Sequence, residues 1–478
     1  MLNRKAFIGS AVAFAGALGA AGKDGKSGNG VSLKAEVPVS DEVDVLVVGG
    51  GPAGVCAAVS AAREGKRVFL AEETGAFGGA ATAAGVPAFC RFGDGKRILV
   101  AGVGLEVRKM VSQEYPVSHD FVPLNAEDLK LAYDKVVTES GVRFSFFTKL
   151  CAVETEGRRM SAAVFVSKRG LFAVRAKVFV DATGDADLVA FGGGKYSLGD
   201  AKGATMPATL CTLWGGIDFD RVSSFREQLE KVAQAVKDGH FTVPDLHLTG
   251  ILKTPHAPKG VGGGNVGHVF GVDPTDERSL TKAMVDARSR MGEFESFYKK
   301  YLKGYDDLRL ISTAGYLGVR ESRRVTCDYT LTTDDFLRRA SFDDEIGRYS
   351  YPVDIHPSSA DPKAYAEFER KFKKLYSYQP GESYGIPYRS LVPVSFDNVL
   401  VAGRCIGTDQ AMQASVRVMP GCYITGRAAG VAAALAVATG AVRSIDMKAL
   451  RARLVAKTSL FRRKAASLGA KGRKESLA

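Results

Sequence analysis

Asp44-Val45-Leu46-Val47-Val48-Gly49-Gly50-Gly51-Pro52-Ala53-Gly54 decides how this chain is read. The apolar run Val45 to Val48 suits a strand buried on both faces, as in a parallel sheet. It breaks into G-x-G-x-x-G with Gly49, Gly51 and Gly54 in the fixed places. An alanine-rich helix, Val55 to Arg63, follows, and a second strand, Val68 to Ala71, ends at Glu72. Each part has a physical task. Gly49 permits the tight turn, Gly51 lets a pyrophosphate approach the backbone, and Gly54 lets helix and strand pack closely. The helix N-terminus offers free N–H groups and a positive dipole end to phosphates. Glu72 is placed to accept hydrogen bonds from ribose hydroxyls, and its charge repels a 2′-phosphate. Strand, loop, helix, strand and acid in that order predict a dinucleotide site.

Working outward, Gly262, Gly264 and Gly267 repeat the glycine spacing in a different context. The preceding Thr254–Lys259 holds two prolines and no apolar run, and no acid-terminated strand follows. This stretch reads as a flexible or ligand-facing loop, which leaves one dinucleotide site.

The 478 residues carry a net charge of +13. The charge is concentrated at the ends: +3 over residues 1–40 and +9 over 448–478, leaving the body nearly neutral. That distribution excludes a nucleic-acid footprint on the folded body. Arg4 and Lys5 precede a mildly apolar stretch, Ala6 to Ala21, too short and weak for a comfortable membrane span. Residues 1–21 read as an export signal and 22–41 as a linker, with a cytoplasmic extension as the alternative. Asn3-Arg4-Lys5-Ala6-Phe7-Ile8 is similar to a twin-arginine signal with Lys in the second place, so the expected address is the periplasm or cell envelope. The seven cysteines lack any C-x-x-C spacing and the six histidines lack H-E-x-x-H, so no metal site is expected.

The nucleotide-binding part is expected in two pieces, 42–205 and 385–446. Val178-Phe179-Val180-Asp181-Ala182-Thr183-Gly184-Asp185 and Asn398-Val399-Leu400-Val401-Ala402-Gly403-Arg404 are apolar strands stopping at glycine beside a polar residue. Ligands in open α/β sheets bind beyond such carboxyl ends. Residues 206–384 read as an inserted substrate domain, with an amphipathic helix over Thr281–Leu302. Pro420 is placed to start a helix running to Thr439 and closed by Gly440. Its apolar body predicts burial, and Arg417 before its N-terminus suits a delocalised anion such as a reduced flavin. Residues 447–478 read as a basic helix and tail, suited to weak contact with anionic lipid or polysaccharide or simply solvated.

Together these stretches resemble the FAD-dependent oxidoreductases of the glutathione-reductase-like fold. The resemblance is carried by GGGPAGVCAA, GAFGGAATAAGV, VFVDATGDADL, GNVGHVFGVD, LGVRESRRVTCDYTLTTDD, IPYRSLVPVSFDNVLVAGRCI and SVRVMPGCYITGRAAGVAAAL, across about 42–455. It implies an α/β fold, with a Rossmann-like FAD-binding domain around a central parallel sheet and an inserted α+β substrate domain. It implies FAD at Gly49, Gly51, Pro52, Ala53 and Gly54, with Glu72 on the ribose. Gly78, Gly79 and Thr82 resemble the segment along the pyrophosphate and flavin. Gly184 and Asp185 resemble one strand end, Gly403 and Arg404 another, and Val418 and Met419 the helix start against the ring. Arg427 stands where relatives commonly carry Gln, a change expected to alter surface or supporting contacts.

Flavin hydride chemistry needs a substrate C–H aimed at the ring and a group that moves a proton. His268 in GNVGHVFG suits a proton shuttle, or a loop histidine satisfied by backbone. Arg320 and Arg324 share a face at helical spacing and suit a carboxylate clamp, or a structural face paired with Glu321 and Asp328. Tyr388 and Arg389 stand just before the third strand as further candidates, and Arg417 as a flavin partner. The expected function is hydride transfer between FAD and a small polyol, sugar derivative or carboxylic acid, with an electron acceptor the sequence does not name. A fumarate-reductase-like alkene reductase, with Arg320 or Arg389 as proton donor, and a non-catalytic envelope flavoprotein are the alternatives.

Overall fold

The computed structural model describes residues 36–112, 115–116, 121–361, 363, 366 and 377–455. The expected signal, most of the linker and the tail beyond 455 lie outside the described residues. The main sheet is built on β1 (Val39–Val48), which leads into helix α1 (Pro52–Arg63) and returns as β2 (Val68–Ala71). The valines and leucine of β1 are buried, as a central parallel strand requires. Next come β3 (Arg143–Ser145), β4 (Lys149–Glu156), β5 (Arg159–Ser167) and the long β6 (Gly170–Asp181). The spatial order is β3-β2-β1-β6-β5-β4. The first part of β6 pairs antiparallel with β5, and its last residues pair parallel with a strand from far along the chain, Val399–Val401.

Register explains why distant segments share one edge. Val48 pairs with Ala71 on one side and Asp181 on the other, and Asp181 pairs with Val401. Four strands therefore end level. The pairing continues into the loops, where Gly49 N–H donates to Ala71, Ala182 N–H to Val48 and Ala402 N–H to Asp181. The result is an α/β fold with a parallel central sheet whose carboxyl edge gathers the strand ends leading to Gly49, Gly184 and Gly403.

A second, antiparallel sheet comprises β7 (Thr212–Gly215), β8 (Leu248–Lys253), β9 (Gly262–Val266) and β10 (Arg309–Thr313), in the order β8-β9-β7-β10. Its own hydrophobic cluster includes Trp214, Phe294, Phe297, Tyr298 and Tyr305. Two expectations change here. Gly262-Gly263-Gly264 is strand, not a loop. A β-carbon on Gly263 would lie 2.6 Å from the Pro87 ring and one on Gly264 2.8 Å from the Thr212 hydroxyl, so glycine is what lets this strand pack. The amphipathic stretch is two helices, α2 (Glu277–Ser289) and α3 (Met291–Tyr301), broken at Arg290. There the guanidinium reaches out to the His268 carbonyl at 2.8 Å. The later part of the expected insertion, including Val325, Phe336, Tyr349 and Tyr384, packs in the first core instead.

The closing helix α4 (Met419–Ala436) lies buried against α1. Gly440, beyond its end, takes φ +61°, the left-handed conformation glycine favours. Among the described residues no helix is long and apolar enough to cross a membrane.

Candidate active site

Two positions of the glycine loop admit no side chain. Gly49 sits at φ +95°, and a β-carbon there would lie 2.5 Å from the Ala182 carbonyl oxygen. A β-carbon on Gly54 would collide with the Gly49 carbonyl oxygen, whereas one on Gly51 would meet nothing within 4 Å. Gly51 caps α1 without a side-chain acceptor, and Pro52, which lacks an N–H, opens the helix with Ala53 behind it. The first N–H groups of α1 thus face a space kept clear by Gly51. Gly79 crosses that space, since its β-carbon would stand 3.3 Å from the Gly51 Cα. Gly78 turns the same loop at φ +110°.

Glu72 is buried and holds the loop as well as facing it. Its carboxylate accepts from Gly50 N–H at 2.6 Å and Thr74 N–H at 2.7 Å. Lone pairs remain for ribose hydroxyls. Glu72→Gln turns an NH2 toward one of those N–H groups. We expect it to weaken FAD binding about tenfold and to lower apoprotein stability by about 1–3 kcal/mol, read by flavin titration and thermal melting. Thr82 is less available than the sequence suggested, because its hydroxyl donates to the Phe77 carbonyl at 2.7 Å.

The other strand ends meet across Gly184. Arg404 Nη2 pairs with Asp185 Oδ1 at 2.9 Å, and any side chain on Gly184 would press on that guanidinium. Gly403, at φ +84°, brings its strand end against Ala53. Val418 caps α4 without a side-chain acceptor, ahead of Met419. Arg404 Nη1 and Arg417 Nε are buried with no hydrogen-bond partner among the described residues. Two uncapped helix starts, two unpaired guanidinium nitrogens and the open space beside Gly51 suit an elongated, anionic dinucleotide.

The whole of this architecture, residues 44–454, matches the family model described as FAD dependent oxidoreductase. The chain belongs to that family. FAD is its cofactor, and it is an enzyme. No curated protein matched it. Among solved structures, it is similar to a geranylgeranyl bacteriochlorophyll reductase-like protein from Thermoplasma acidophilum, at 13% identity over 89% of this chain and 84% of that one, with TM-score 0.42. The myxobacterial chondrochloren halogenase matches at 13% identity over 87% and 78%, with TM-score 0.41. A p-nitrophenol 4-monooxygenase from Pseudomonas putida matches at 12% over 87% and 80%, with TM-score 0.39.

The remaining candidates separate into two groups. Tyr388 and Arg389 open a tight turn, Tyr388–Leu391, and each is engaged elsewhere. The Tyr388 hydroxyl donates to the Val442 carbonyl at 2.8 Å inside the core, and Arg389 pairs with Asp344 at 3.0 Å on the surface. The arginine clamp does not form either. Arg324 pairs with Glu321 and bonds the Gly199 carbonyl, and Arg323 pairs with Asp187. Arg320 donates to the Pro207 carbonyl, the Thr209 hydroxyl and Asn265 Oδ1. Burial, with Arg417 nearby, pushes its guanidinium down to about 10. Arg427 is buried and makes a supporting contact, donating to the Leu454 carbonyl at 2.6 Å. None of the seven cysteines forms a disulfide, and burial pushes the Cys211 and Cys422 thiols up to about 12.

His268 has company the sequence did not disclose. Its Nδ1 lies 3.1 Å from Asp245 Oδ2 and its Nε2 lies 3.1 Å from His356 Nδ1. His356 Nε2 lies 3.4 Å from Asp354 Oδ1, and Arg417 Nη2 donates to the Asp354 carbonyl at 3.0 Å. His247 stacks on His268 with ring centroids 4.4 Å apart. Burial pushes all three imidazoles below their usual range, Arg320 adding to this for His356. Burial alone would raise the Asp354 carboxyl, but His356, Arg417 and Arg320 outweigh it and hold that group well below the usual carboxylate range. The array runs from the second sheet to the residue two before Met419. It was hidden because His268 and His356 are 88 residues apart, with no local spacing to mark them.

Proposed function

We propose that this FAD-dependent oxidoreductase transfers hydride between FAD and a small polar organic substrate, a polyol, sugar derivative or carboxylic acid, bound beside the histidine array. One observation carries the reading: the chain of groups Asp245, His268, His356, Asp354 and Arg417, which ends at the start of α4. FAD, when bound, supplies the two-electron acceptor. A substrate giving up hydride would also release its hydroxyl proton, which the protein would have to take up. The protein's part is to hold the substrate oxygen and accommodate that proton's charge. Neutral imidazoles backed by carboxylates are suited to both tasks. Arg417, anchored on the Asp354 carbonyl with Nε unpaired, supplies positive charge at the helix start. Arg320 supports from behind, holding Thr209 and Asn265 in place.

The test is anaerobic mixing of the holoenzyme with panels of polyols, sugar acids and hydroxy acids while following the flavin absorbance. A bleaching substrate is expected among them. His356→Asn should then slow bleaching by about 10²–10⁴-fold while leaving the oxidised flavin spectrum in place. Bleaching by none of these classes, or bleaching indifferent to His356, sinks the reading.

A further inference from the structure

We propose that His247, His268 and His356 form a binding site for one divalent metal ion of the zinc class. The inference rests on the reading that the array is the substrate side, and it names the chemistry of that side. One ligand-capable nitrogen from each of the three imidazoles lies within 4.8 Å of the others. His268 Nε2 and His356 Nδ1 are 3.1 Å apart. Two nitrogens each about 2.0–2.1 Å from one tetrahedral ion stand roughly 3.3 Å apart, so this pair is already near ligand spacing.

The outer nitrogens make the stronger argument. Asp245 faces Nδ1 of His268 and Asp354 faces Nε2 of His356. A carboxylate beside each outer nitrogen favours the tautomer whose lone pair points inward, the carboxylate–histidine arrangement that supports metal ligands. Where both outer nitrogens donate, the two inner lone pairs face each other 3.1 Å apart in a buried place, a pairing that a bound cation relieves. A shared proton would satisfy two imidazoles, but three converge here. The third, His247, is half-buried and reached from outside, so it gives the ion an entry side. Its ring now stacks nearly parallel on His268, at 9° between planes, and must turn about its side-chain bonds to ligate. A small cavity of about 10 Å³ adjoins His247 and Asp245, with room for roughly one water.

Three neutral nitrogen ligands suit zinc and leave a position for a fourth ligand. The charges around the ion, Asp245, Asp354 and Glu293 against Arg320, Arg417 and Arg290, cancel, so its double charge awaits an anionic partner. A substrate carboxylate or ionising hydroxyl has that chemistry.

The experiment uses the full-length holoenzyme, dialysed against zinc and then against metal-free buffer, with zinc and flavin measured on the same sample. We expect about one zinc per flavin, reduced to background in His268→Asn and His247→Asn. Asp245→Asn should weaken zinc binding by about 10–100-fold. Melting temperatures and flavin spectra of the variants show that the fold persists. Cobalt in place of zinc should add absorption to the red of the flavin bands, lost in the same variants. No bound zinc, or zinc that survives replacement of His268 and His247, overturns the metal centre. Zinc absent while substrate bleaching still depends on His356 overturns this inference alone. Zinc present while bleaching ignores His356 overturns only the substrate-side reading.

Discussion

Replacing Gly430 by alanine is expected to destabilise the whole protein, although it adds one methyl group to a helix. Gly430 and Gly426 lie on α4, one turn apart, where it crosses α1. A β-carbon on Gly430 would collide with the carbonyl oxygen of Ala57, and one on Gly426 with that of Ala53. In both cases the obstacle is backbone of a helix whose own side chains there are already only methyl groups. No rotamer change relieves the contact, so the helices must move apart. Helix propensity favours alanine over glycine by about 1 kcal/mol, and the clash must outweigh that gain. We expect a net loss of about 3 kcal/mol, at the upper end for overpacking, and a fall in the apoprotein's thermal midpoint of roughly 3 °C or more. FAD affinity should fall with it, because α1 carries the glycine loop. The control is Gly292→Ala on α3, where a β-carbon meets nothing within 4 Å and alanine should be neutral or stabilising. Equal melting temperatures for Gly430→Ala and wild type would refute the close-packing account.

The same contact shows what the sequence could disclose. Alanine and glycine repeated along both helices announce close packing, because small residues have no other reason to fill a buried helix. The glycine loop and the level strand ends were legible for a similar reason: each signal sits within a few residues of the chemistry it serves. The histidine array had no such signal. Its members come from β8's approach, β9's exit and a loop before the first core's last strands, so only tertiary packing assembles them. Arg320 and Arg324 misled through an assumed helical spacing. The structure instead places Arg323–Val325 in a short strand and Arg320 before it, each guanidinium with its own buried acceptor. The glycines of β9 misled because spacing alone cannot tell a loop that needs positive φ from a strand that needs room beneath Pro87.

Within the glycine loop itself, two neighbouring substitutions should give opposite results. Gly51→Val should fold and fail to bind FAD; Gly54→Val should fail to fold. Gly51 has φ −67° and ψ −176°, extended backbone that valine readily adopts, and its β-carbon would point into open space. The apoprotein should therefore melt close to wild type. That open space is where the uncapped N–H groups of α1 face, so a branched side chain there shields them from a pyrophosphate. We expect FAD affinity to fall at least about a hundredfold, about 2.7 kcal/mol, by fluorescence titration of the apoprotein. At Gly54 the β-carbon would occupy the position of the Gly49 carbonyl oxygen. Gly49 cannot yield, because it is fixed by its N–H bond to Ala71 and by the Ala182 carbonyl beside it. The turn between β1 and α1 would have to open, and the level strand ends would lose their register with it. Gly54→Val should thus give aggregated or early-melting protein whether or not FAD is supplied. If instead Gly51→Val binds FAD normally, the cofactor does not approach α1 through the cleared space, and the assignment of this loop to the pyrophosphate is wrong.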